Sequence, residues 1–133
     1  MLNCEHGGRL KTPILLIDDD QGIREALQGL LEGEGFLVFA AGNGQEGLAA
    51  LATMPAPCAI LLDVNMPVMN GREFLSALRT EPKLSGLPVI ALSATDTPAR
   101  MPGVQDFLTK PVDVGALLAT IRKYCVEERK ERA

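Results

Sequence analysis

Four short strand-like runs of this chain, three of them apolar, end in side chains able to carry charge or to hydrogen-bond a ligand. Ile14-Leu15-Leu16-Ile17 ends in Asp18, Asp19 and Asp20. Cys58-Ala59-Ile60-Leu61-Leu62 ends in Asp63, and Pro88-Val89-Ile90-Ala91-Leu92 ends in Ser93. Asp106-Phe107-Leu108-Thr109 ends in Lys110, followed by Pro111. Carboxylates gathered at a partly dry edge repel one another, and at neutral pH they require a cation or raised pKa values. Carboxylate ligands with waters left in place suit magnesium, with manganese as the alternative ion. A lysine adds a second positive charge, and a hydroxyl donates to a phosphoryl oxygen. An anionic oxygen nucleophile, a metal bridging phosphoryl oxygens and a fixed cation are the equipment of phosphoryl transfer. Aspartate is a recognised covalent nucleophile for such a group.

For these residues to meet, the runs that carry them must lie side by side. Short continuous apolar runs fit strands buried on both faces, as in a parallel sheet. Between them the period changes. Ile23, Ala26, Leu27, Leu30 and Leu31 follow one face of a helix, stopped by Gly33 and Gly35. Phe36-Leu37-Val38-Phe39 reads as a strand. Asn43 and Glu46 form a capping box ahead of Leu48, Leu51 and Ala52, and Pro55 and Pro57 end that helix. A third helix carries Phe74, Leu75 and Leu78 and stops before Pro82. Asp113 caps a last one with Val114, Leu117, Leu118, Ile121, Tyr124 and Cys125 on one face. Five alternations of strand and helix predict an α/β fold, a doubly wound five-stranded parallel sheet. Ligands of such sheets bind beyond the carboxyl ends of the strands, where the four polar ends fall.

Composition narrows the function classes. A chain of 133 residues that is 47% hydrophobic holds one domain with a real core. The expected organisation is a flexible leader at 1–11, the domain at 12–126 and a charged tail at 127–133, with no second domain. A net charge of −4 argues against direct nucleic-acid or anionic-membrane binding. No apolar run approaches the roughly 18–20 residues of a membrane span, and the leader lacks the apolar core of a signal peptide. These features point to the cytoplasm. Cys4, Cys58 and Cys125 are odd in number and widely spaced, so they read as free thiols. His6 reads as solvated tail.

Plainer roles compete for several of these residues. Asp20 suits an N-cap, and Arg24 suits a helix surface. Gly42-Asn43-Gly44-Gln45-Glu46-Gly47 matches a dinucleotide-binding GxGxxG, with Asp63 about twenty positions on as the ribose acid. That reading leaves Asp18, Asp19, Ser93 and Lys110 without a role; the plain alternative is a helix-entry turn.

Ile17-Asp18-Asp19-Asp20, Leu62-Asp63-Val64-Asn65-Met66-Pro67-Val68-Met69-Asn70-Gly71, Leu92-Ser93-Ala94 and Phe107-Leu108-Thr109-Lys110-Pro111 together resemble the response-regulator receiver family of two-component signalling. The resemblance covers roughly residues 12–126. It implies a flavodoxin-like strand order 2-1-3-4-5, with Asp63 as phosphoacceptor. It further implies that Asp18, Asp19 and Asp63 hold magnesium, directly or through water, with the Asn65 backbone carbonyl. Lys110 would pair with the phosphoryl group and join Pro111 through a cis bond. Ser93, with Ala94 beside it, would be the switch hydroxyl and Phe107 the aromatic switch. The donor would be a phosphohistidine on a histidine kinase or histidine phosphotransfer protein. The output would pass through another, unknown protein. Such a domain is a phosphoacceptor that assists its own phosphotransfer and dephosphorylation, and it is not classed as an enzyme.

One stretch departs from the family. Lys110 follows Ser93 by 17 positions (93 to 110), where the family has several more. Residues 95–103 contain two prolines and no apolar stripe, so the fourth helix is expected to be short, irregular or mobile. That face is the family's usual signalling and dimerisation surface. The resemblance by itself assigns neither role to this stretch, and the oligomeric state stays open.

Overall fold

Neighbouring residues of each central strand face opposite layers. Ile14, Leu16, Ala59, Leu61, Ile90 and Leu92 pack on one side of the sheet. Leu15, Ile17, Ile60, Leu62 and Val89 pack on the other. Such runs are apolar throughout because both faces are covered, which is why period-2 alternation is missing from the sequence.

The computed structural model describes residues 12–64, 71–93 and 104–132, with backbone alone for Gly71 and residues 126–132. The elements are β1 (Thr12–Ile17), α1 (Gln21–Gly33), β2 (Phe36–Ala41), α2 (Gly44–Thr53), β3 (Ala59–Asp63), α3 (Gly71–Thr80), β4 (Val89–Ser93), β5 (Asp106–Thr109) and α4 (Val114–Arg132). The strands are all parallel, in the order β2-β1-β3-β4-β5. This is the expected doubly wound sheet. Leu31, Leu117 and Ile121 bring α1 and α4 onto one face. Leu51, Phe74, Leu75 and Leu78 bring α2 and α3 onto the other. Each fully buried Leu or Ile is worth about 1.5–3 kcal/mol of transfer free energy.

Local signals set the boundaries. Asp20 caps α1 by accepting the Ile23 N–H at 3.0 Å, and Asp113 caps α4 by accepting the Ala116 N–H at 2.8 Å. Gly35, at φ 98°, turns the chain from α1 into β2 in a conformation that other residues adopt at a cost. Gly47 is small for another reason. A Cβ there would lie 2.5 Å from Ile17 Cδ1 and 3.3 Å from Phe74 Cε1, so its bareness lets α2 close onto β1 and α3.

Several details differ from the sequence reading. Ile23, Ala26, Ala52 and Val114 are exposed, because the buried stripes end before the carboxyl edge of the sheet or lie rotated from the expected face. The backbone of α4 stays helical to Arg132, through most of the expected charged tail. Cys58 and Cys125 are not free thiols: they form a disulfide, with Cα atoms 5.1 Å apart. Both are buried, one just ahead of β3 and one on the inner face of α4. Docking of α4 on the sheet brings them together across a sequence separation of 67, which spacing rules along the chain do not capture. The leader, including Cys4 and His6, and the expected irregular helix at 95–103 lie outside the described residues. No described helix is long and apolar enough to cross a membrane.

Candidate metal centre

Strand register brings the predicted residues to one edge. Ile17 pairs with Leu62, Asp63 with Leu92 and Ser93 with Thr109, so β1, β3, β4 and β5 end nearly flush. Backbone bonds continue the ladders past the strands. The Asp18 N–H donates to the Ala41 carbonyl at 3.1 Å, the Val64 N–H to Leu92 at 3.1 Å, and the Lys110 N–H to Ser93 at 2.6 Å. Each functional side chain therefore leaves a backbone pinned by its neighbour strand.

Asp18 is fully buried, Asp63 and Ser93 are each 4% exposed, and Asp19 is open to solvent. One carboxylate oxygen from each of Asp18, Asp19 and Asp63 lies within 4.8 Å of the others. Lys110 Nζ stands between two of them, 3.4 Å from Asp18 Oδ2 and 3.5 Å from Asp63 Oδ2. Asp18 Oδ1 also accepts the Asp20 N–H at 2.9 Å. Among the described residues, the three carboxylates face Lys110 Nζ while the Arg24 guanidinium turns to the Asp18 backbone carbonyl, so acids outnumber cations. Burying carboxylates costs several kcal/mol each unless cations and hydrogen bonds offset it. An oxygen-only donor set, acids in excess of cations among the described residues and one solvent-facing acid fit a hard divalent ion such as magnesium that keeps waters.

The structure brings together Asp18, Asp19, Asp63 and Lys110, and it puts Ser93 on the neighbouring strand end. The Lys110–Pro111 bond is cis, as expected. Phe107 is half-buried on β5, opposite Ala91 in the register. Asn65 and Ala94 lie outside the described residues.

Four of the six residues of the glycine motif have other work. Asn43 Oδ1 accepts the Glu46 N–H at 2.8 Å, while Glu46 Oε1 accepts the Gly42 N–H at 2.8 Å. The reach-back lands one residue earlier than in a standard capping box. With Gly47 used for packing, the motif is accounted for as a helix entry.

Arg24 is more than the helix-surface residue the sequence suggests. It is half-buried, and its Nη1 donates to the Asp18 carbonyl at 2.7 Å. The available signal was its position four residues after the N-cap Asp20, one turn along the same helix face. Periodicity overlooks it because it scores only apolar residues.

A five-stranded 2-1-3-4-5 sheet with clustered aspartates and a lysine at its carboxyl edge defines a receiver-type α/β domain. The chain belongs to the response regulator receiver domain family, whose sequence model matches residues 14–122. It is 40% identical over 118 residues to an uncharacterised 14.6 kDa protein of Leptolyngbya boryana, covering 85% of this chain and 89% of the relative. It is also 40% identical over 116 residues to the KDP operon transcriptional regulatory protein KdpE of Escherichia coli, covering 84% of this chain but only 50% of the relative. Among solved structures it resembles the Vibrio cholerae chemotaxis protein CheY4, with a TM-score of 0.79 and 29% identity over 86% of this chain and 99% of the other.

Proposed function

We propose that this domain accepts a phosphoryl group on Asp63 in a two-component or phosphorelay pathway, with magnesium as cofactor. The observation that carries the reading is the placement of Asp63: buried at the end of β3, 3.5 Å from Lys110 Nζ and grouped with Asp18 and Asp19.

An Asp63 carboxylate oxygen attacks the phosphorus of a phosphohistidine, presented by a histidine kinase or phosphotransfer protein. The P–N bond breaks, and its electron pair leaves on the imidazole nitrogen. Lys110 supplies positive charge to the arriving oxygens, and the Ser93 hydroxyl donates to one of them. Asp18, Asp19 and Asp63 would hold the magnesium ion, which neutralises phosphoryl oxygens when bound. The new group brings up to about two negative charges, to which Ser93 and Lys110 must adjust. Their movement shifts the ends of β4 and β5 and changes which output protein the surface above them fits.

The expected compartment is the cytoplasm, where such donors work. Disulfides are rare there, and burial of Cys58 and Cys125 favours survival of theirs by limiting thiol access.

The test is intact mass after incubation with acetyl phosphate and magnesium. One phosphoryl adduct is expected on the wild type, and none on Asp63→Asn or in chelator. A folded wild type that gains no adduct from acetyl phosphate or from a phosphorylated kinase would overturn the reading in favour of a binding module that works without phosphorylation.

A further inference from the structure

Asp18 is held through every polar group it has. Its N–H donates to the Ala41 carbonyl at 3.1 Å, its Oδ1 accepts from Asp20, and its Oδ2 faces Lys110. Its carbonyl oxygen is taken by Arg24 Nη1 at 2.7 Å. That carbonyl belongs to the planar peptide unit joining Asp18 to Asp19, so holding it fixes the plane from which the Asp19 backbone departs. Asp19 needs such help more than its partners do. It is exposed, whereas Asp18 and Asp63 are buried among packed neighbours.

Arg24 is itself well placed for this task. Its N–H donates to the Asp20 carbonyl at 2.8 Å, which locks it into the first turn of α1. Its guanidinium then reaches toward the turn between β2 and α2. A Cβ added to Gly42 would lie 3.5 Å from Arg24 Nη1 and 3.3 Å from Glu46 Oε1. A side chain at 42 would press on Glu46 and merely touch Arg24, so the guanidinium lies against this turn.

We propose that Arg24 is a positioning residue for the metal centre. It clamps the Asp18–Asp19 peptide so that the Asp19 carboxylate stays within reach of an ion held by Asp18 and Asp63. The proposal rests on the metal-assisted reading given above. Its sign separates it from simple electrostatics. A guanidinium near three acids repels an arriving cation, so a purely electrostatic role predicts tighter magnesium binding once the charge is removed. A clamp predicts weaker binding. A role in stability alone predicts unchanged affinity.

The experiment is a calorimetric titration of the full chain with magnesium chloride at fixed ionic strength, with thermal unfolding measured alongside. Arg24→Met removes the donor but keeps an aliphatic stem, Arg24→Ala is the second donor-free variant, and Arg24→Lys keeps a donor. Loss of an outer-shell partner weakens metal binding by about 10–100-fold. The donor-free variants are expected to bind magnesium about tenfold more weakly, the low end of that range, with Arg24→Lys recovering most of the loss. A folded donor-free variant that binds as tightly as wild type, or more tightly, would overturn the clamp. Wild type that binds no magnesium would overturn the metal-assisted reading itself, and the clamp with it.

Discussion

The two edges of the sheet are both polar, yet they use polar groups in opposite ways. At the amino edge the groups satisfy one another. Gln105 Oε1 accepts the Val89 N–H at 2.7 Å and a bond from Arg79 Nη2 at 3.3 Å. Arg79 Nη1 also reaches the carbonyls of Ser85 and Leu87, and partial burial lowers the pKa of its guanidinium from the ordinary value. The Tyr124 hydroxyl donates to the Gln105 carbonyl and lies 3.3 Å from Asp106 Oδ2. The Cys58–Cys125 disulfide ties α4 to the start of β3 nearby. At the carboxyl edge, among the described residues, three acids cluster around one lysine, and acids outnumber cations. A network closed on itself fixes strands and loops. An edge where clustered acids outnumber cations is prepared for something that arrives. The comparison teaches that clustered polar residues signal function through their imbalance more than through their number.

Four expectations would sharpen or break this contrast. Reduction of the disulfide acts on the closed edge and should have the largest effect. Opening a loop of 67 residues lowers stability by about 4 kcal/mol in the chain-entropy model. Urea unfolding with and without dithiothreitol measures it, and magnesium affinity should stay the same. Magnesium acts on the open edge. At a hundredfold excess over its Kd it should stabilise the wild type by about 2.7 kcal/mol, by mass action. That gain should largely vanish in Asp18→Asn, as read from melting curves. Gln105→Ala leaves the Val89 N–H without its acceptor and should cost about 1–2 kcal/mol, with phosphoryl adduct formation unchanged. Tyr124→Phe should be the mildest, at about 0.5–1.5 kcal/mol, again with no change at the carboxyl edge. If any amino-edge change altered magnesium affinity, the two edges would be coupled and the contrast would fail.

Much of the open edge was legible in the sequence, and less of the closed one. Asp18, Asp63 and Ser93 each follow an apolar run directly, and Lys110 follows the short strand Asp106–Thr109, so strand order alone gathers them. The caps at Asp20 and Asp113 were readable because capping is local. Arg24 and the cysteine pair were not. Arg24 acts through a backbone carbonyl six residues earlier in the chain, and residue type does not announce that contact. Cys58 and Cys125 each sit at an ordinary apolar position, and only the docking of α4 reveals that they meet. The exposure of Ile23 and Val114 escaped for a related reason. Helical periodicity fixes a face but not where along the helix the covering layer stops.

The most direct test of the central claim is chemical trapping of the phosphorylated residue. After incubation with acetyl phosphate and magnesium, borohydride reduces an aspartyl phosphate to homoserine, which peptide mass spectrometry locates. The account predicts that this conversion occurs at Asp63 and at no other acid, and that it disappears in Asp63→Asn. Conversion at Asp18 or Asp19 instead, or a phosphoryl adduct that resists borohydride, would contradict it.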